Sequence, residues 1–83
     1  MESEQIFYIT HRGRMPSDIG EMSEHKACQY VHGRLLANLD WSSALTESER
    51  VIEEAKRTGN STIQFHDNFG PDNWIDVRLI KCS

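Results

Sequence analysis

Two helices laid over one face of a three-stranded antiparallel sheet, in the order strand, helix, helix, strand, strand, form the α+β architecture that this sequence predicts. Three observations carry it. Residues 6 to 10 are β-branched and aromatic, two consecutive middle segments repeat their apolar residues at helical spacing, and the C-terminal part alternates with a period of two on either side of a turn signal. Helices and strands in such an order bury their apolar faces most economically as two layers around one core.

The first strand is Ile6-Phe7-Tyr8-Ile9-Thr10, closed by the turn-like run Arg12-Gly13-Arg14-Met15-Pro16-Ser17-Asp18. From Ser23 to about Asp40 the pattern is helical, because Ala27, Cys28, Val31, Leu35, Leu36 and Leu39 fall on one broad arc at 100° per residue. Gly33 lies off that arc. A second helix follows from a capping box, Thr46-Glu47-Ser48-Glu49, with Ser42 or Ser43 as caps one turn earlier. Val51, Ile52 and Ala55 form its apolar stripe, Lys56 and Arg57 suit the negative end of its dipole, and Gly59 fits the left-handed cap that ends it.

After Asn60 the period becomes two. Ile63 and Phe65 point one way and Thr62, Gln64 and His66 the other; Ile75, Val77 and Leu79 then alternate with Trp74, Asp76, Arg78 and Ile80. The segment Asn68-Phe69-Gly70-Pro71-Asp72-Asn73 joins the two runs as a hairpin turn.

At 83 residues the chain has room for a single domain, 1–83, and one core, with little wall to spare for a deep catalytic cleft. Nine Lys and Arg against thirteen Asp and Glu give a net charge of −4, which opposes sequence-blind attraction to nucleic acid or to an anionic membrane. The acidic N-terminus leads into only four apolar residues, Ile6 to Ile9, so the expectation is a cytoplasmic chain without signal peptide or membrane span. Cys28 and Cys82 are too few for a disulfide framework, and Cys28, inside the apolar arc, reads as a small buried hydrophobe.

The constellations that suggest chemistry are weak ones. His25, Cys28 and His32, at i, i+3 and i+7, share a helix face and offer zinc-type donors, with His66, Cys82 or His11 as a fourth. Structural zinc is usually held by tight turns, and Cys28 belongs to the apolar stripe, so these residues read as an amphipathic boundary and no metal or cofactor is expected. Ser23-x-x-Lys26 lacks its companion motifs, no nucleophile elbow is present, and Glu53 and Glu54 lie on the solvent side of the second helix. The chain is therefore read as a binding protein rather than an enzyme.

Two binding surfaces compete. If the apolar set faces the helices, the other side of the sheet carries Tyr8, Gln64, His66, Trp74, Asp76, Arg78 and Ile80, a group rich in the aromatic and Arg types that dominate hot spots. In this reading the partner is a protein, and Glu47, Glu49, Glu53, Glu54, Asp72 and Asp76 steer a basic one. In size and acidity the chain resembles the short inhibitors that phages and mobile elements aim at host proteins such as nucleic-acid-binding defence complexes, a likeness of habit carried by no motif. The alternative is a nucleic-acid site in which Tyr8, His66 and Trp74 stack on bases while Arg12, Arg14 and Arg78 meet phosphate, joined by Lys56 and Arg57, with Gly13 allowing close backbone approach. A homodimer is a further expectation, through the sheet edge left by the first strand or by the hairpin.

Overall fold

The computed structural model describes residues 5–13, 16–67 and 70–81, so the expectations that rest on Arg14, Met15, Asn68, Phe69 and Cys82 lie outside it. Six elements are present: β1 (Ile6–Arg12), β2 (Ser17–Ser23), α1 (Glu24–Leu35), α2 (Trp41–Thr58), β3 (Asn60–Asp67) and β4 (Gly70–Lys81). The α+β class and the two helices are as expected. The sheet, however, has four antiparallel strands, ordered β2-β1-β4-β3, so the chain runs strand, strand, helix, helix, strand, strand.

The added strand is β2, whose Ser17 and Asp18 belong to the expected turn, whose Ser23 begins the expected helix and whose middle was expected to form no strand. Its sequence, Ser-Asp-Ile-Gly-Glu-Met-Ser, holds a glycine and two acids, residue types that strands disfavour. Its pairing with β1 also slips: Ile9 opposes Gly20, yet Thr10 opposes Asp18, which leaves Ile19 as the extra residue of a bulge. Gly20 supplies the positive φ of 118° that this bulge adopts. The slip lets both Ile19 and Met22 pack against the core although they are three residues apart, a spacing that hides a strand from any period-two reading.

The core lies between the sheet and the helices. Phe7 and Ile9 of β1, Ile63 and Phe65 of β3, and Ile75 and Val77 of β4 turn toward Ala27, Val31 and Leu35 of α1 and Ala44, Val51, Ile52 and Ala55 of α2. Leu79 is half-buried at the margin of the same face. The inward residues are the ones that the alternation assigned to the helix side.

Ser23 caps α1 by accepting the Lys26 backbone N–H at 3.4 Å. The helix stops at Leu35 rather than near Asp40, and residues 36–39 form a turn in which the Leu39 N–H donates to the Leu35 carbonyl at 3.0 Å. That turn keeps Leu39 against the core without helix. It also frees Asp40, in extended conformation, to be the N-cap of α2, so Thr46 lies inside the helix and its proposed box with Glu49 is not the start. Gly59 ends α2 with φ 99°, donating its N–H to the Ala55 carbonyl at 2.9 Å, and β3 begins at the next residue.

Among the described residues no helix is long and apolar enough to cross a membrane. Phe7 is wholly buried on the strand that joins the two hairpins. Phe7→Ala is expected to cost about 3–5 kcal/mol, as large-to-small core changes do, a large share of the ~5–15 kcal/mol available to a native domain. Equilibrium urea denaturation measures it, and a loss below about 1 kcal/mol would contradict the central place given to this ring.

Candidate binding face

Alternation along β1, β3 and β4 fixes what the second face of the sheet carries. Register sets the rows across it: Glu21, Tyr8, Arg78 and Asn60; then Asp18, Thr10, Asp76 and Thr62; then Arg12, Trp74 and Gln64. Five of the six residues expected to bind a partner, Tyr8, Gln64, Trp74, Asp76 and Arg78, thus fall in three adjacent rows. His66 lies two positions beyond Gln64 and is exposed, next to the register shift that follows Phe65. Arg78 and Gln64 are exposed, Tyr8, Trp74 and Asp76 half-buried, and Ile80 is 43% exposed. A shallow depression of about 450 Å³ runs between Tyr8, Thr10, Thr62, Asp76 and Arg78.

Asp76 organises this surface. Its carboxylate receives two bonds from the Arg12 guanidinium, at 2.5 and 3.1 Å, and one from the Thr62 hydroxyl at 2.6 Å. Partial burial alone would raise its pKa, but the bonds from Arg12 and Thr62 and the Arg12 charge outweigh that and hold the carboxyl below its ordinary value. The same hydrogen bond, then the attraction of Asp76, raises the pKa of Arg12. The guanidinium carbon of Arg12 also lies 5.6 Å from the centre of the Trp74 ring, within cation–π range. Arg12 is the member of this face that sequence reasoning missed, having placed it in a basic turn. Only the register that sets it opposite Trp74 reveals its role.

Of the cations in the alternative set, Arg12 and Arg78 share the outer face, and Lys56 and Arg57 do not. Arg12 is committed to Asp76 on the outer face, and Arg14 lies outside the described residues. Lys56 belongs to the helical layer, where it bonds Glu53 at 3.1 Å and Glu24 at 3.3 Å; the bond to Glu53 is the main reason its pKa is raised. Arg57 is exposed on the same helix. The close approach expected over Gly13 is taken by the chain itself, since a Cβ there would stand 2.6 Å from Asn73 Oδ1 and 2.9 Å from the Asp72 carbonyl. Asn73, buried in β4, is also 3.1 Å from His11 Nε2, and the His11 ring packs at 5.4 Å from Phe65.

The zinc-type residues of α1 face different neighbours. His25 pairs with Gln29 at 3.1 Å, and half-buried Cys28 sits 3.5 Å from the Ser48 hydroxyl. His32 is buried, donates through Nε2 to the Trp41 carbonyl at 3.3 Å and meets the Trp41 indole edge-on at 4.3 Å. Among the described residues no group of three or more His, Cys, Asp or Glu stands close enough to hold a metal ion. A groove of about 600 Å³ separates the outer flanks of the helices, lined by Glu24, His25, Cys28, Glu49, Ile52 and Glu53. Leu36, Trp41 and Leu45 are exposed at the α1–α2 corner, which sequence reasoning did not single out.

The lowered pKa of Asp76 has a stability consequence of definite sign. Its contribution is present above the unfolded carboxylate value of ~4 and is lost as pH falls through the lower folded value. Asp76→Asn is expected to destabilise the chain near pH 7, and the gap from wild type should narrow as pH falls below about 4, followed by urea denaturation across the acid range. A gap that stays constant would contradict the ionic role of Asp76. No protein-family model matches the chain, and neither curated proteins nor solved structures give a match, so the geometry of this face is what a functional reading has to build on.

Proposed function

We propose that the chain is a protein-binding module that acts by occupying a partner's surface, as a small inhibitor does, and that it binds through the outer face of the sheet. One observation carries this reading: the face opposite the helices gathers Tyr8, Trp74, Arg12, Arg78 and Asp76 in adjacent rows and leaves them partly or fully accessible. Aromatic and Arg side chains concentrate binding energy when a partner desolvates them. A polar network tied at its centre is pre-organised, which lowers the entropy lost on association.

The charge pattern favours a protein partner over nucleic acid. The outer face mixes Arg12 and Arg78 with Asp76, Glu21 and Asp18, and the whole chain is at −4. A phosphate backbone is held by clustered cations, and here Arg12 is already neutralised by Asp76. Exposed acids such as Glu49, Glu53 and Asp72 would speed encounter with a basic partner without setting its final affinity.

The test compares tagged wild-type protein with Trp74→Ala and Arg78→Ala in nuclease-treated lysate of the native cell, each variant first shown to melt as wild type does. A protein captured in stoichiometric amount by wild type is expected to bind each variant about 30-fold or more weakly, the effect of a ~2 kcal/mol hot spot. Lys26→Ala, exposed on α1 in the helical layer, should leave capture intact. Equal capture by all variants, or capture of no protein once nuclease has removed nucleic acid, would overturn the assignment to this face.

A further inference from the structure

The two outer strands of the sheet differ in how they end it. β2 is guarded by Pro16 just before it, by Asp18 and Glu21 within it, and by the Gly20 bulge that breaks its regular pairing. Such features blunt an edge against a further strand. β3 is eight residues long, contains neither Pro, Lys nor Arg, and keeps register with β4 from Asn60 to Phe65. The Leu79 N–H donates to the Gly59 carbonyl at 2.9 Å, so the odd-numbered residues of this ladder turn their amides to β4 and the even-numbered ones turn theirs to the outer side.

Above β3 runs one flank of α2. Glu54 marks that side, since the Ser61 hydroxyl of β3 donates to it at 2.5 Å, while Lys56 reaches from the opposite flank to Glu24 of α1. At 100° per residue Glu47, Arg50, Glu54 and Arg57 share this flank as a stripe of alternating sign, in which Arg50 bonds Glu47 at 2.9 Å within the chain through an exposed pair that can exchange partners. The stripe is self-complementary: turned end for end, Glu47 meets Arg57 and Arg50 meets Glu54, about a centre at Ile52. β3 turned end for end about Ile63 sets Thr62 against Gln64 and Asn60 against His66, with no like charges opposed.

The two centres lie at similar distances from the reversal at Gly59. Measured from Gly59, where the chain reverses, Ile52 lies about 10 Å back along the helix at 1.5 Å per residue, and Ile63 about 13 Å along the strand at 3.3 Å per residue. The two distances differ by about 3 Å, which is compatible with one two-fold axis serving both layers.

We infer that β3 is a dimerisation edge, and that a second copy of this chain pairs antiparallel to it about Ile63, extending the sheet to eight strands. The two copies of α2 then lie side by side over the junction, and their Glu and Arg stripes cross-pair. Such an interface is isologous, as a closed two-fold dimer requires. It is independent of the binding reading above, and it would place the two outer faces on one continuous surface.

Sedimentation equilibrium of the purified chain, followed over a concentration series, tests this, with circular dichroism melts as the control for folding. Wild type is expected to approach twice its 9.6 kDa mass. Two charge variants are informative, Glu47→Arg/Glu54→Arg and Arg50→Glu/Arg57→Glu: each alone should dimerise at least 10-fold more weakly, and their equimolar mixture should recover dimer. Should the first misfold for want of the Ser61 bond, Thr62→Lys/Gln64→Lys opposes like charges across the junction and should give monomer. A monomeric wild type, or a dimer that survives both Thr62→Lys/Gln64→Lys and Arg50→Glu/Arg57→Glu, would overturn the inference.

Discussion

The constraint on which the molecule depends is that two helices cover one face of one sheet. β1 and β4 are its central strands, and Phe7, Ile9, Ile75 and Val77 on them are wholly buried beneath α1 and α2. Burying side chains of this size is worth roughly 1.5–3 kcal/mol each, and this central quartet is the part of the core that both hairpins share. Among the described residues no third layer covers the opposite face, so that face is built to be stable in contact with water or with another molecule.

The rest follows from that one-sidedness. The outer face is made polar at its centre, where Asp76 ties Arg12 and Thr62 across three strands, and Arg12 in turn covers part of Trp74. An ion pair this exposed contributes modestly to folding. Its effect is geometric, because it fixes which groups a partner would meet. The same sheet must also end somewhere: β2 ends it with a bulge and charges, while β3 ends it with a ladder that keeps register from Asn60 to Phe65 under a helix whose charges match a copy of themselves.

Much of this was legible in the sequence because burial and period coincide along most of the chain. Ile63, Phe65, Ile75 and Val77 alternate without interruption and face the helices, and Gly59 ends α2 as a left-handed cap. The failures occur where local pattern and tertiary role part. β2 was unreadable because its bulge sets Ile19 and Met22 on one side at a spacing of three. Leu36 and Leu39 prolonged the apparent stripe of α1, although the helix has already ended at Leu35 and Asp40 begins the next one. Arg12 and Gly13 looked like an anion-binding turn, but Trp74, Asp76 and Asn73, sixty residues away in sequence, decide what they do, and no local signal carries that information.

The central claim is the one-sided cover of the sheet. Solvent paramagnetic relaxation, with a neutral gadolinium chelate added to the isotopically labelled chain, measures it residue by residue. Strong relaxation at the side chains of Gln64, Arg78 and Ile80, intermediate relaxation at Tyr8 and Trp74, and almost none at Phe7, Ile9, Ile75 and Val77 is the pattern these positions predict. Equal protection on both faces would mean that something covers the outer side, and the account of that face as a binding surface would fail.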